Sequence, residues 1–154
     1  MALSLNQAKM TPRNGAYVYM PNVPQPHNCI VSADQATALT AGAIVKLDSS
    51  ATNTNCPVIK AASVTDAIFG VIPYDALKNS YKAKDKVMVA VEGSTLYFVA
   101  DGAISQGAVL CFTAAGKVTA TQTATYSTIG VAQTAAANGA FVQVKLQFGT
   151  VAGE

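Results

Sequence analysis

The chain has 154 residues, of which 51% are hydrophobic and only 12% charged, with a net charge of +2. That length suits one domain with a sizeable core, and so weak a charge gives no argument for nucleic acid as a partner. A single histidine and no tryptophan leave little for acid–base chemistry, and the charge-poor surface points to a protein partly covered by another.

Residues 1–28 carry Pro12, Pro21, Pro24 and Pro26, which excludes a helix and confines sheet pairing to edges. Asn14-Gly15 is a turn signal, and Tyr17 to Met20 can add a short strand. We read the segment as an extended arm ending at residue 28. Lys9, Arg13, Tyr17, Tyr19 and Met20 are its candidate contact residues, since disordered tails seldom concentrate aromatics. Met1 to Asn6 lacks the pattern of a secretory leader, and no run approaches the ~18 apolar residues of a membrane helix.

From residue 29 to 154 we expect one all-β domain. Cys29-Ile30-Val31 reads as a strand, and Ala33 to Leu39 as one helical turn. Thr40 to Leu47 is a turn feeding a strand; Asp48 to Asn55 is a polar loop. Pro57 to Ala61 and Ala67 to Ile72 are further strands, and Lys78 to Asp85 is a basic loop. Lys84 to Gly93 alternates with period two, so Val87, Val89 and Val91 share a buried face. Val142 to Phe148 alternates more strictly still. Val89, Val91, Val144 and Leu146 are therefore expected in the core.

The second half replays the first. Ser105 to Phe112 matches Thr40 to Leu47, Gly116 to Ala120 matches Pro57 to Ala61, and Thr128 to Ala132 matches Ile68 to Ile72. Phe141 to Gly149 answers Val87 to Gly93. The similar halves span about 40–93 and 105–149, and residues 95–104 bridge them with one more strand. Gly42 and Gly107 sit where a turn needs positive φ, and Gly70 and Gly130 mark bulges or bends. Many short strands between turns imply a barrel or sandwich.

Reactive constellations are not legible. His27 lies among prolines, the acids are scattered, and no nucleophile elbow or glycine-rich phosphate loop is present. Cys29, Cys56 and Cys111 have no metal-ligand spacing and read as reduced, buried thiols. Asp85-Lys86-Val87 before a strand is similar to the lysine hairpin of lipoyl or biotinyl carriers, but those place the lysine in a tight turn, whereas residues 79–84 read as a long loop. Lys78, Lys82, Lys84 and Lys86 form the charge cluster of the chain. They suit either a solvated loop guarding an edge strand or contact with an acidic surface.

With its halves aligned, the chain resembles the head decoration, or capsid cement, proteins of tailed bacteriophages. The resemblance rests on the strand starts at 42–45 and 107–110, the glycines in Ile68-Phe69-Gly70-Val71 and Ile129-Gly130-Val131, and the valine-rich strands ending at Gly93 and Gly149. It implies a small β-barrel or β-tulip-like fold without catalytic residues or cofactors. It also implies a virion protein on the outer capsid surface, made in the host cytoplasm, that bridges capsomers of the major capsid protein, often as a trimer. Lys9, Arg13, Tyr17, Tyr19, Met20, Lys78, Lys82 and Lys84 are the expected contacts; nucleic acid, membrane and small-molecule substrates are not expected. The alternative is a carbohydrate- or receptor-binding module of a head fibre, with Tyr74, Tyr81, Tyr97 or Tyr126 stacking on sugars.

Overall fold

The computed structural model describes residues 12–18, 23–52 and 55–152, and among them there is no helix. The first six strands are β1 (His27–Val31), β2 (Leu39–Thr40), β3 (Ile44–Leu47), β4 (Val58–Ala61), β5 (Gly70–Val71) and β6 (Ser80–Tyr81). They are followed by β7 (Lys86–Val89), β8 (Thr95–Val99), β9 (Val109–Phe112), β10 (Val118–Thr119), β11 (Ser127–Ala132) and β12 (Phe141–Thr150). One sheet runs β5-β3-β4-β1-β7 and the other β10-β9-β11-β12-β8, with β2 and β6 paired alongside. The fold is all-β.

Each sheet curls back on itself. Val71 and Ala90 exchange backbone bonds of 3.0 and 2.8 Å, joining β5 to the end of β7. A parallel bridge of Ala100 to Val118 joins β8 to β10. Pairing removes the open edges that short strands would otherwise expose.

The two rings are paired alike. Val31 faces Ile59 in a parallel pair, as Ala100 faces Val118. Cys29 faces Val87 as Phe98 faces Val142, and Leu47 faces Ile59 as Phe112 faces Val118. Each repeat thus begins earlier than the alternation suggested: β8 is the counterpart of β1 and not a bridge between halves. Gly70 and Gly130 stand at equivalent crossings, where a Cβ would collide with the carbonyl oxygen of Ala90 or of Lys145. The register of β11 also shifts between Thr128 and Gly130. Only a residue without a side chain lets the strands approach so closely.

The alternating strands bury the expected face. Val87, Val89, Val142, Val144 and Leu146 are all buried. Val91 is the exception: β7 ends at Val89, and Val91 is only half-buried because the alternation outlasts the neighbouring strand that would cover it. Residues 33–39 are not helical either. Ser32 Oγ accepts the Asp34 N–H at 3.2 Å, and Gln35 bonds Thr37 O and the Ala61 N–H, so side chains satisfy groups a helix would have paired.

The arm is joined to the body. β1 already starts at His27. The Gly15 N–H donates to Tyr97 O, the Tyr97 N–H to Ala16 O and the Val18 N–H to Thr95 O, at 2.7–2.9 Å. Gly15, at φ 76°, lies against the backbone of Gly42, where a Cβ would collide. Ile44, Val71 and Ala90 of the first repeat share one buried cluster with Leu96, Phe112, Ile129 and Leu146 of the second.

Candidate contact surface

The arm and the segment after β5 build a cleft of about 480 Å³ beside β1 and β7, lined among others by Tyr17, Pro26, Pro73, Tyr74, Lys78 and Met88. Tyr17 is fixed by its backbone bridge to Leu96. Its hydroxyl is buried without a partner among the described residues, and burial raises its pKa. Facing it, the Tyr74 N–H donates to Gly15 O at 2.9 Å. Arg13 Nη1 donates to the Tyr74 hydroxyl at 2.6 Å, with the guanidinium carbon 5.0 Å from the ring centroid. Such a cation–aromatic contact holds both partners in place while the surface stays polar.

Lys78 Nζ is 3.1 Å from Asp85 Oδ2 and 5.0 Å from the Tyr81 ring centroid. The Lys82 N–H, then the Lys78 ammonium, hold the Asp85 carboxyl below its ordinary range. Burial pushes the Tyr81 hydroxyl up, the Asp75 charge adds to that, and Lys78 opposes it. Both tyrosines with shifted hydroxyls are therefore neutral at physiological pH. The cleft offers aromatic faces and lysine, a set suited to binding.

Of the expected contact residues, Tyr17 and Lys78 line this cleft, while Arg13 touches it only through Tyr74 and lines a neighbouring hollow with Asn14 and Phe141. Lys82 and Lys84 stand apart on the turn before β7, where Lys84 has φ 70° and its N–H donates to Val31 O. Its counterpart in the second repeat is Gly139, whose N–H likewise donates to Ala100 O. Lys84 thus serves the turn with its backbone and exposes its side chain. Lys9, Tyr19 and Met20 lie outside the described residues. Leu77, which the sequence reading passed over, is 97% exposed, its N–H held by Asp75 Oδ1 at 2.8 Å. The signal was an acid two residues before a leucine in a proline-led loop.

The remaining chemistry-bearing residues are spread out. His27 is exposed and meets Phe69 edge-on at 5.8 Å. Cys29 and Cys111 are buried free thiols. Burial first, and Cys56 second, push the Cys29 thiol up to about 11. Among the described residues no group of three or more metal-ligating side chains converges.

The geometry defines an all-β protein of two like-paired barrels with an aromatic and cationic cleft beside a docked arm. The model of the phage cement protein family matches residues 24–146, and the chain belongs to that family. It is a capsid-associated phage structural protein. A search of curated proteins gave no match. Among solved structures the chain is similar to the N base of head fiber gp8.5 in bacteriophage phi29, at 14% identity. That alignment covers 79% of this chain and 92% of that one, with a TM-score of 0.49.

Proposed function

We propose that the chain binds the outer surface of the assembled head in many copies and fastens neighbouring capsomers of the major capsid protein, without a catalytic step. The reading rests on family membership for the capsid and on one observation for the mode of action. Within the chain, Ile44 of the first barrel and Phe112 of the second belong to one buried cluster and line one hollow where the barrels meet. By strand register Val109 is the counterpart of Ile44, and Leu47 of Phe112. These two counterparts are 42% and 51% exposed. Each barrel therefore carries both faces of the contact, and one of each is left over.

A second copy presenting Leu47 to the Val109 face would repeat the internal contact between chains. Such a head-to-tail contact closes into a ring when its rotation allows, and a trimer is the ring we favour. A ring multiplies modest capsid contacts through avidity, with Tyr17 and Lys78 at the cleft, Arg13 beside it on Tyr74, and Lys82 and Lys84 on the adjoining turn as the contact residues. Lys9, Tyr19 and Met20 extend the proposed contact along the arm. The two barrels, with Gly15–Val18 as an added strand, act as one unit in this reading.

The test combines light-scattering mass with co-sedimentation on purified heads. Leu47→Asp and Val109→Asp are expected to reduce the mass to that of one chain and to weaken head attachment by about tenfold or more. Unchanged mass and attachment in both variants would refute it.

A further inference from the structure

One corner of the barrel is built differently in the two repeats. In the first barrel Ser32 Oγ donates to Asp48 Oδ2 at 2.6 Å, and Lys60 Nζ donates to Asp48 Oδ1 at 2.9 Å. Ser50 adds its hydroxyl and its N–H to the same oxygen. Carboxylate, hydroxyl and ammonium satisfy one another, and the corner is closed.

The same positions in the second barrel hold other side chains. The Ser32 N–H donates to Ile59 O as the Asp101 N–H donates to Val118 O, so Asp101 replaces Ser32. Thr113, following β9, replaces Asp48, which follows β3. Thr119 replaces Lys60, because Lys60 pairs with Lys46 as Thr119 pairs with Cys111. The lysine is gone and the carboxylate has changed sides. Thr113 Oγ1 is buried with no partner among the described residues, whereas the Asp101 carboxylate is exposed and forms no ion pair there.

Both groups line a cavity of about 590 Å³ at this end of the barrel, together with Thr121, Thr123, Tyr126 and Asn138. Asn138 Oδ1 accepts the Gly102 N–H at 3.0 Å, which turns its amide nitrogen outward as a further donor. We propose that this cavity binds a pyranose sugar. Asp101, exposed at the rim, accepts hydrogen bonds, Thr121 and Thr123, also exposed, serve as donors or acceptors, and Thr113 holds a hydroxyl that no described group satisfies; vicinal hydroxyls answer all of these. Tyr126 supplies a flat apolar face among polar groups, the lining typical of small-molecule sites at barrel mouths. A lone ammonium would satisfy Asp101 but leave the hydroxyls and most of the volume unused. This site is separate from the capsid-contact cleft and does not depend on it.

The experiment uses the full chain and saturation-transfer NMR with glucose, galactose, mannose, rhamnose, N-acetylglucosamine and N-acetylgalactosamine, with lysine amide as the competing cation. At least one pyranose is expected to bind with a Kd of roughly 1 mM or tighter. Asp101→Asn and Tyr126→Ala are each expected to weaken it about tenfold. The triple variant D101S/T113D/T119K, which copies the closed corner of the first barrel, is expected to keep cooperative melting and lose the sugar. Should the triple variant not fold, Thr113→Val takes its place and is expected to weaken binding. Absence of binding across the sugar panel, binding that survives these substitutions, or binding of lysine amide alone would each overturn the proposal. Head co-sedimentation, measured separately, tells this failure from failure of the capsid reading.

Discussion

Cys29 and Phe98 occupy the same position in the two barrels, facing Val87 and Val142 respectively across an antiparallel pair. Leu39 pairs with Tyr81 as Ile104 bridges Ala136, so the large residue of one barrel stands where the other is small, and the reverse. Cys29 and Tyr81 share one cluster, while Phe98 and Ala136 share the other. Interiors must be filled to constant density, and at this pair of positions each repeat places its aromatic on a different strand. Phe98→Cys should therefore cost about 3 kcal/mol, and adding Ala136→Tyr should recover part of it. Urea unfolding of the single and double variants checks this; strictly additive losses would show that the two positions do not share a volume.

Val144→Asp places an unpaired charge in a fully buried site and should abolish cooperative unfolding. Val91→Asp, at a half-buried position past the end of β7, should leave a folded protein with a lower midpoint. Thermal denaturation by circular dichroism distinguishes them, and equal effects would contradict the end of the strand at Val89.

Deleting residues 2–18 removes the three backbone bonds from Gly15–Val18 to Thr95 and Tyr97. At about 0.5–1.5 kcal/mol net for each bond, the loss should be roughly 2–4 kcal/mol before Tyr17 packing is counted. A truncated chain that melts like the full one would show that the arm contributes nothing to folding.

Asp66 is held down to about 2, by the Lys46 ammonium first and the Ser63 hydroxyl second. Its folded pKa is below its unfolded value, so this stabilisation is present above about pH 4 and is lost as pH falls through about 2. Asp48, held low by Ser32, Ser50 and Lys60, acts in the same direction. Stability should therefore fall between about pH 4 and 2. Lys46→Met should flatten that fall, as read from urea midpoints across the range. A slope unchanged by the substitution would remove Asp66 from the account.

Gly130→Ala should be among the most disruptive of small substitutions, because the added methyl meets the Lys145 carbonyl across the strand pair. Gly107→Ala is opposite in kind: the space there is open, and only the φ of 86° resists the side chain. The first should lower the melting midpoint more than the second; a reversed order would show that the backbone at Gly130 yields.

What the sequence by itself determined is local. Alternation in Val142, Val144 and Leu146 selects a buried face, because side chains in a strand point to opposite sides whatever lies beyond. The glycines at 42, 70, 107 and 130 declare turns and close crossings, because each reports a demand of the backbone at its own position. From these the all-β class could be read. Tertiary structure decided the rest. Val91 continues the alternation but has no strand to cover it, so pattern alone could not place it. The ring closures at Val71–Ala90 and Ala100–Val118 join residues far apart in sequence. Tyr17 and Lys78 become neighbours only because the arm docks on β8, which no spacing records. Asp101 and Thr113 look unremarkable along the chain; their difference from Ser32 and Asp48 shows only once strand register has set the two corners side by side.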